Sequence, residues 1–145
     1  MLPDSGYEFL PHTTDAYVAA RGETLERALQ SAGTALFDVM CYVQKISPKV
    51  TDEVDVEGFD EMGLLYNWLE SLLLKFDLEG KVYSKFEVTP IVHSDGRLRT
   101  RAKMMGELYD RAKHGAKVEV KAVTYHKMEI TRNERGVTLK FILDL

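Results

Sequence analysis

Apolar residues recur along this chain with two different periods, and the periods assign the elements. From residue 24 to 43, Leu25, Ala28, Leu29, Ala32, Leu36, Val39, Met40 and Val43 follow helical spacing along one face. Thr24 suits the N-cap of that helix, and Glu26 sits in its first turn, where the N-terminal partial charge favours a carboxylate. Gly33 in mid-helix costs ~1 kcal/mol relative to alanine, which close packing of a neighbour would offset. A second helix is predicted over about residues 60–78, capped by Asp60, with Met62, Leu65, Trp68, Leu69, Leu72, Leu73 and Phe76 on its apolar face. Leu64 and Leu74 widen that face, so this helix is expected to be the more buried of the two. Gly80 fits its C-terminal stop.

The remaining segments alternate with period two, the spacing of strands. Tyr7-Glu8-Phe9-Leu10 and Ala16-Tyr17-Val18-Ala19-Ala20 read as strands on either side of the polar loop Pro11-His12-Thr13-Thr14-Asp15. Val50, Val54 and Val56 alternate with Glu53, Asp55 and Glu57, a half-buried strand with an acidic outer face. Residues 82–92 read as a strand in which Pro90 argues for an edge or a bulge. Asp95-Gly96 is a hairpin signal. The return strand places Leu98, Thr100, Ala102 and Met104 on one face and the cations Arg97, Arg99, Arg101 and Lys103 on the other. From residue 117 a strand is expected to run past His126 towards Met128 and Ile130. Val118, Val120, Ala122 and Thr124 would face the core, with Glu119, Lys121 and Tyr125 opposite. Val123 breaks the alternation, which calls for a half-covered second face or a bulge near Ala122-Val123. After a turn at residues 133–136, a last strand occupies 137–145. This order predicts an α+β fold over residues 1–145 as a single domain. It would be a mostly antiparallel sheet with two helices packed on one face.

Composition narrows the function classes. The 145 residues are 45% hydrophobic and 29% charged, the balance of a globular domain able to bury a core of its own. Cys41 is the only cysteine, so an intrachain disulfide and a cysteine metal cluster are both excluded. No apolar run approaches the ~20 residues needed to span a bilayer, and the N-terminus lacks an export signal; the expectation is a cytoplasmic protein with no membrane contact. A net charge of −4 counts against a dedicated nucleic-acid binder, whose affinity comes largely from phosphate neutralisation, so direct RNA binding is expected to be weak or absent.

Four groups of residues could carry chemistry. Asp15 lies in the loop before the second strand, and Asp144 is the penultimate residue of an otherwise apolar strand. A carboxylate there must be exposed, hydrogen-bonded or bound to a cation. If the first and last strands are neighbours, the two acids approach, and a hard divalent cation would relieve their repulsion. Oxygen ligands favour Ca²⁺ or Mg²⁺ over zinc. His12 could orient Asp15. Lys121, with Glu119 and Tyr125, could meet phosphate or an acidic partner surface, or form an ordinary salt bridge. The Arg97-Arg99-Arg101-Lys103 row could face RNA, but it lacks interleaved aromatics for stacking, and the acidic strand at Glu53-Asp55-Glu57 could answer it across the sheet. His114 is expected in a turn. No Gly-rich phosphate loop, HExxH pattern or nucleophile elbow occurs.

His114-Gly115-Ala116-Lys117-Val118-Glu119-Val120-Lys121-Ala122-Val123-Thr124-Tyr125-His126 resembles the signature of the archease family. So do Tyr7–Asp15, Leu64-Leu65-Tyr66-Asn67-Trp68-Leu69 and the ending Ile142-Leu143-Asp144-Leu145. The resemblance runs through nearly the whole chain in order. Thr14, where alanine is commoner, and Ala16-Tyr17 depart from the pattern. The resemblance implies a divalent metal held by Asp15 and Asp144 with a main-chain oxygen of Leu145, and a functional role for Lys121. It implies a non-catalytic accessory protein that activates the GTP-dependent tRNA splicing ligase by promoting its guanylylation and multiple turnover. Two alternatives stand beside this. One is a chaperone of a tRNA methyltransferase or another RNA-processing enzyme; the other is a small metal-dependent phosphoesterase using the two aspartates.

Overall fold

The structure, a computed structural model, describes residues 5–12 and 14–145; the loose start expected at residues 1–4, and Thr13, lie outside it. Its elements follow the predicted order. Strands β1 (Gly6–Leu10) and β2 (Ala16–Gly22) precede helix α1 (Leu25–Met40) and a 3-10 turn at Val43–Lys45. Strand β3 (Val50–Gly58), helix α2 (Glu61–Glu79) and strands β4 (Lys81–Val88), β5 (Val92–Ser94) and β6 (Arg97–Leu108) come next. A single-turn helix α3 (Arg111–His114) leads to β7 (Ala122–Asn133) and β8 (Gly136–Asp144).

Both long helices begin as their caps dictate. Thr24 accepts from the Arg27 amide at 3.2 Å, and Asp60 accepts from the Gly63 amide at 2.7 Å. The Gly80 amide closes α2 by donating to the carbonyls of Lys75 and Phe76. α1 stops at Met40, three residues before the predicted end, because the Tyr42 amide turns away to the His114 carbonyl at 2.9 Å. The strand predicted over 82–92 breaks at Thr89-Pro90-Ile91 and resumes as β5, as a proline that cannot donate to the ladder requires.

Every strand pairing among the described residues is antiparallel, and the class is α+β. The strands divide into two sheets. One has the order β1-β2-β8-β7; the other has β3-β6-β4, with β5 also on β6. Each helix touches strands of both sheets: α1 packs on β2, β8 and β4, and α2 on β3 and β7. The core they enclose includes the fully buried Leu29, Leu36, Phe37, Trp68, Tyr83, Met104 and Phe141. The Trp68 indole N–H donates to the Leu29 carbonyl at 2.7 Å and so ties the helices together at the same place. Within α2 the buried residues are Leu64, Leu65, Trp68, Leu69, Leu72 and Leu73. Met62 and Leu74, predicted to join the buried face, are exposed. Among the described residues no helix is long and apolar enough to cross a membrane.

The largest departure from the sequence reading lies at residues 115–121. They form no strand; β7 begins only at Ala122. Val118 is exposed rather than in the core, and past Ala122 the phase is inverted. Val123 is buried on the side of Leu143, whereas Thr124 pairs with Ile142 on the opposite face. The irregularity lies further on, between Thr124 and Glu129, where four residues of β7 lie opposite one of β8.

Candidate metal centre and partner surface

The register of β2 on β8 decides where the two aspartates go. Ala16 pairs with Leu143, so Asp15 just before β2 and Asp144 at the end of β8 come to the same end of adjacent strands. On its other side Asp144 pairs with Ala122, and its carbonyl accepts from the Lys121 amide at 2.7 Å. Three residues far apart in sequence, Asp15, Lys121 and Asp144, therefore share one end of the first sheet. Asp144 is half-buried, as is Leu145, which packs against the core.

His12 supplies the second observation at this end. Its Nδ1 is buried, has no hydrogen-bond partner among the described residues, and lies 3.8 Å from Asp15 Oδ2. Tyr17 packs edge-on against the His12 ring, with centroids 6.0 Å apart, and the Thr14 hydroxyl donates to Asp15 Oδ2 at 3.4 Å. A buried ring nitrogen without a partner calls for a ligand or a water. Two carboxylates in neighbouring strand positions are the donor type a hard divalent ion takes. Among the described residues, however, no three His, Cys, Asp or Glu side chains converge. Such an ion takes at least about six oxygens, so main-chain oxygens and water would have to complete the shell. Asp15 and Asp144 fit the ion in donor chemistry and strand position.

Glu119 and Lys121 sit on the 115–121 segment, which works as a strap rather than a strand. The amides of Lys117 and Val118 donate to the carbonyls of Met40 (2.9 Å) and Val39 (3.2 Å), two of the groups left open at the end of α1. The strap thus joins the end of α1 to the end of β8. Both Glu119 and Lys121 are exposed, and neither forms an ion pair among the described residues. Among the described residues the salt-bridge alternative for Lys121 is not realised.

Two clusters hold the strap, and the sequence reading missed their members. The Lys117 ammonium donates to the Asp38 carbonyl and to its carboxylate, both at 2.9 Å, and lies 4.6 Å from the centre of the Tyr42 ring. The Tyr7 hydroxyl donates to the same carboxylate at 3.0 Å. His114, expected in a turn, is fully buried at the end of α3. Its Nδ1 accepts from the Asp110 amide at 2.9 Å, so Nε2 carries the proton and donates to Glu107 at 2.7 Å. Glu107 also accepts from Lys113 and from the Ser47 amide. The lysine ammonium, then that amide and His114, hold its carboxyl down to about 2. Gly115 has φ +74°, and a Cβ there would stand 2.7 Å from the Tyr42 ring; this is the physical reason for glycine after His114. The His-Gly-x-Lys spacing was the available signal, and it marks a structural clamp.

The cation row is answered across the sheet. Glu57 bonds Arg97 at 2.8 Å and Arg99 at 3.2 Å, Asp55 bonds Arg101 at 2.8 Å, and Lys103 stands in register between Glu53 and Glu87. The Arg101 hydrogen bond holds the Asp55 carboxyl below its ordinary range. This is the cross-strand pairing expected of opposite charges on one face.

Comparison with known proteins finds relatives along the whole chain. The pattern of the archease protein family matches residues 7–145. A protein archease from Pyrococcus furiosus is 45% identical over 130 residues, covering 90% of this chain and 91% of the relative. The solution structure of protein 1598 from Methanobacterium thermoautotrophicum superposes with a TM-score of 0.81 at 33% identity, covering 97% of this chain and 99% of that one. A Thermotoga maritima crystal structure described as an archease, possible chaperone, shares the fold, with a TM-score of 0.59 at 17% identity over 95% and 96% of the two chains. A chain matched from Tyr7 to Leu145, with close relatives over nine-tenths of its length, belongs to the archease family.

Proposed function

We propose that this protein is a non-catalytic accessory factor that activates the GTP-dependent tRNA splicing ligase, promoting the ligase's guanylylation and its repeated turnover. The observation that carries the reading is the convergence of Asp15, Asp144 and Lys121 at one end of the first sheet. Asp144 fixes the backbone of Lys121 through its carbonyl, while the ammonium stays exposed without an ion pair among the described residues. An ammonium held by its backbone and left free at its tip is suited to an anionic group on another molecule. Asp15, Asp144 and a main-chain oxygen of Leu145 would hold the divalent ion, Ca²⁺ ahead of Mg²⁺. When bound, that ion supplies a fixed positive charge which cancels the repulsion of the two carboxylates. His12 stands beside Asp15, its Nδ1 3.8 Å from Oδ2, and Glu119 borders Lys121 on the strap.

The test is ligase turnover with purified ligase, GTP and tRNA halves, in the presence of Asp15→Ala, Asp144→Ala or Lys121→Ala. Each is expected to lower the stimulated turnover by about tenfold or more, the scale of a lost charge-assisted contact. Undiminished stimulation by all three overturns the reading. Thermal unfolding without the ligase tests the ion separately. At a Ca²⁺ concentration a hundred times Kd the wild type should gain about 2.7 kcal/mol. A Ca²⁺ gain of equal size in Asp15→Ala would remove that aspartate from the ion's shell. A second reading, a chaperone for an RNA-processing enzyme such as a tRNA methyltransferase, is supported by the description of the Thermotoga maritima neighbour and by the exposed Leu74 and Leu78. Suppression of methyltransferase aggregation without any effect on the ligase would favour it.

A further inference from the structure

We propose that the outer face of α2 is a docking site for a basic amphipathic helix of a protein partner. α2 carries apolar residues on two sides. The inner stripe is fully used in the core. On the outer side, steps of four residues pass from Met62 and Tyr66, across Glu70, to Leu74 and Leu78, of which Leu74 and Leu78 are the adjacent exposed pair. Met62 is 38% exposed, Leu74 44% and Leu78 79%. Tyr66 is half-buried and stacks on Tyr125, with centroids 4.4 Å apart and an interplanar angle of 6°. Isolated surface leucines are ordinary. A row at helical spacing, on a helix whose other side already fills the core, is the pattern of a helix covered on both sides.

Charge selects the occupant. α2 has four acids, Glu61, Glu70, Asp77 and Glu79, against Lys75 alone. Arg132 binds Glu61, and Lys75 and Lys81 bind Glu79. Glu70 and Asp77 have no ion pair among the described residues. There is no base in the last turn, so Asp77 and Glu79 stand where the helix carbonyls already carry partial negative charge. RNA and an anionic lipid surface are repelled by such a face. A second copy of the chain would bring the same acids against these. A helix with leucines on one side and lysines flanking them meets both needs. Its apolar side covers Leu74 and Leu78, and its cations reach Glu70 and Asp77. The inference rests on the proposed function only in naming the ligase as the protein that carries this helix.

The test uses the full chain and a synthetic Leu-Lys amphipathic helix as the probe, followed by amide chemical shifts. Shifts should cluster at residues 62–78 and at Tyr125. Binding should weaken about tenfold in Leu74→Ser with Leu78→Ser, as for loss of interface anchors, and also in Asp77→Lys. Both variants alter exposed side chains, and unchanged circular dichroism confirms their folding; Asp15→Ala should bind the probe as the wild type does. Shifts elsewhere or none, or self-association of the chain through α2 in the ultracentrifuge, overturn the proposal. With the ligase, the leucine variant should lose stimulation as Lys121→Ala does. If the ligase responds to Lys121→Ala but not to the leucine variant, its docking on α2 is overturned. If the wild type fails to stimulate the ligase at all, the proposed function fails while the probe titration still decides the α2 site.

Discussion

Glu107→Gln removes one charge from the clamp under the strap and little else. Oε2 of Glu107 accepts all three bonds, from the Ser47 amide (2.9 Å), Lys113 (2.6 Å) and His114 Nε2 (2.7 Å). A glutamine carbonyl can keep these donors, with its amide turned towards Lys49, whose ammonium lies 3.8 Å from the other oxygen. The bonds from the Ser47 amide and His114 become neutral, and the Lys113 ammonium loses its opposite charge, each bond weaker by roughly 0.5–1 kcal/mol. Lys113 and Lys49 are partly exposed, so their share is screened, and the net loss at pH 7 should be about 2 kcal/mol. In a domain of this size that lowers the melting temperature by about 6 °C. The pH dependence gives the sharper check. The folded carboxyl sits at about 2 against an ordinary 4.5, so its contribution is complete above 4.5 and is lost as pH falls towards 2. The wild type should therefore lose its advantage over the glutamine variant between about pH 4.5 and pH 2. Urea unfolding across that range measures it. Equal stability at pH 7, or a gap of constant size down to pH 2, would refute the account.

Two further outcomes follow from the packing. Gly106 in β6 lies between β3 and β4, and a Cβ there would stand 1.9 Å from the Val82 carbonyl oxygen and 2.7 Å from the Tyr83 Cα. Gly106→Ala should cost about 3 kcal/mol in urea unfolding, the upper end of overpacking, and a loss below ~1 kcal/mol would contradict the geometry. Lys117→Met keeps the aliphatic stem but loses both bonds to Asp38 and the contact with Tyr42. It should cost about 1–2 kcal/mol and release the amides of Lys117 and Val118 to faster hydrogen exchange; unchanged exchange would show that the backbone bonds alone hold the strap.

Local order in this chain is written in neighbours a few residues apart. Thr24 and Asp60 cap the helices they were expected to cap, Gly80 ends α2, and Asp95-Gly96 turns the hairpin between β5 and β6. The cation row and the acidic strand were legible as cross-strand partners because each alternates with period two. The sheet end shared by Asp15 and Asp144 was legible only through the resemblance of both chain ends to one family, since no local pattern reports that β2 pairs with β8.

Residues 115–121 show where periodicity stops being informative. Val118, Val120 and Ala122 alternate as a strand would, but the amides of this segment were drawn to the carbonyls left open by α1 and to Asp144, not to a strand along its whole length. The same limit applies to α2, whose two apolar rows look alike in sequence, although only one faces the core. The amino-acid order by itself determined where the two long helices begin, where the β5–β6 hairpin turns and which charges alternate, because those depend on contacts within a turn or two of chain. Tertiary structure alone decided the division into two sheets, the burial of His114, the strap under Lys121 and the uncovered side of α2. Each of these depends on which distant backbone or apolar surface packs against a given group, and a periodic pattern carries no record of that.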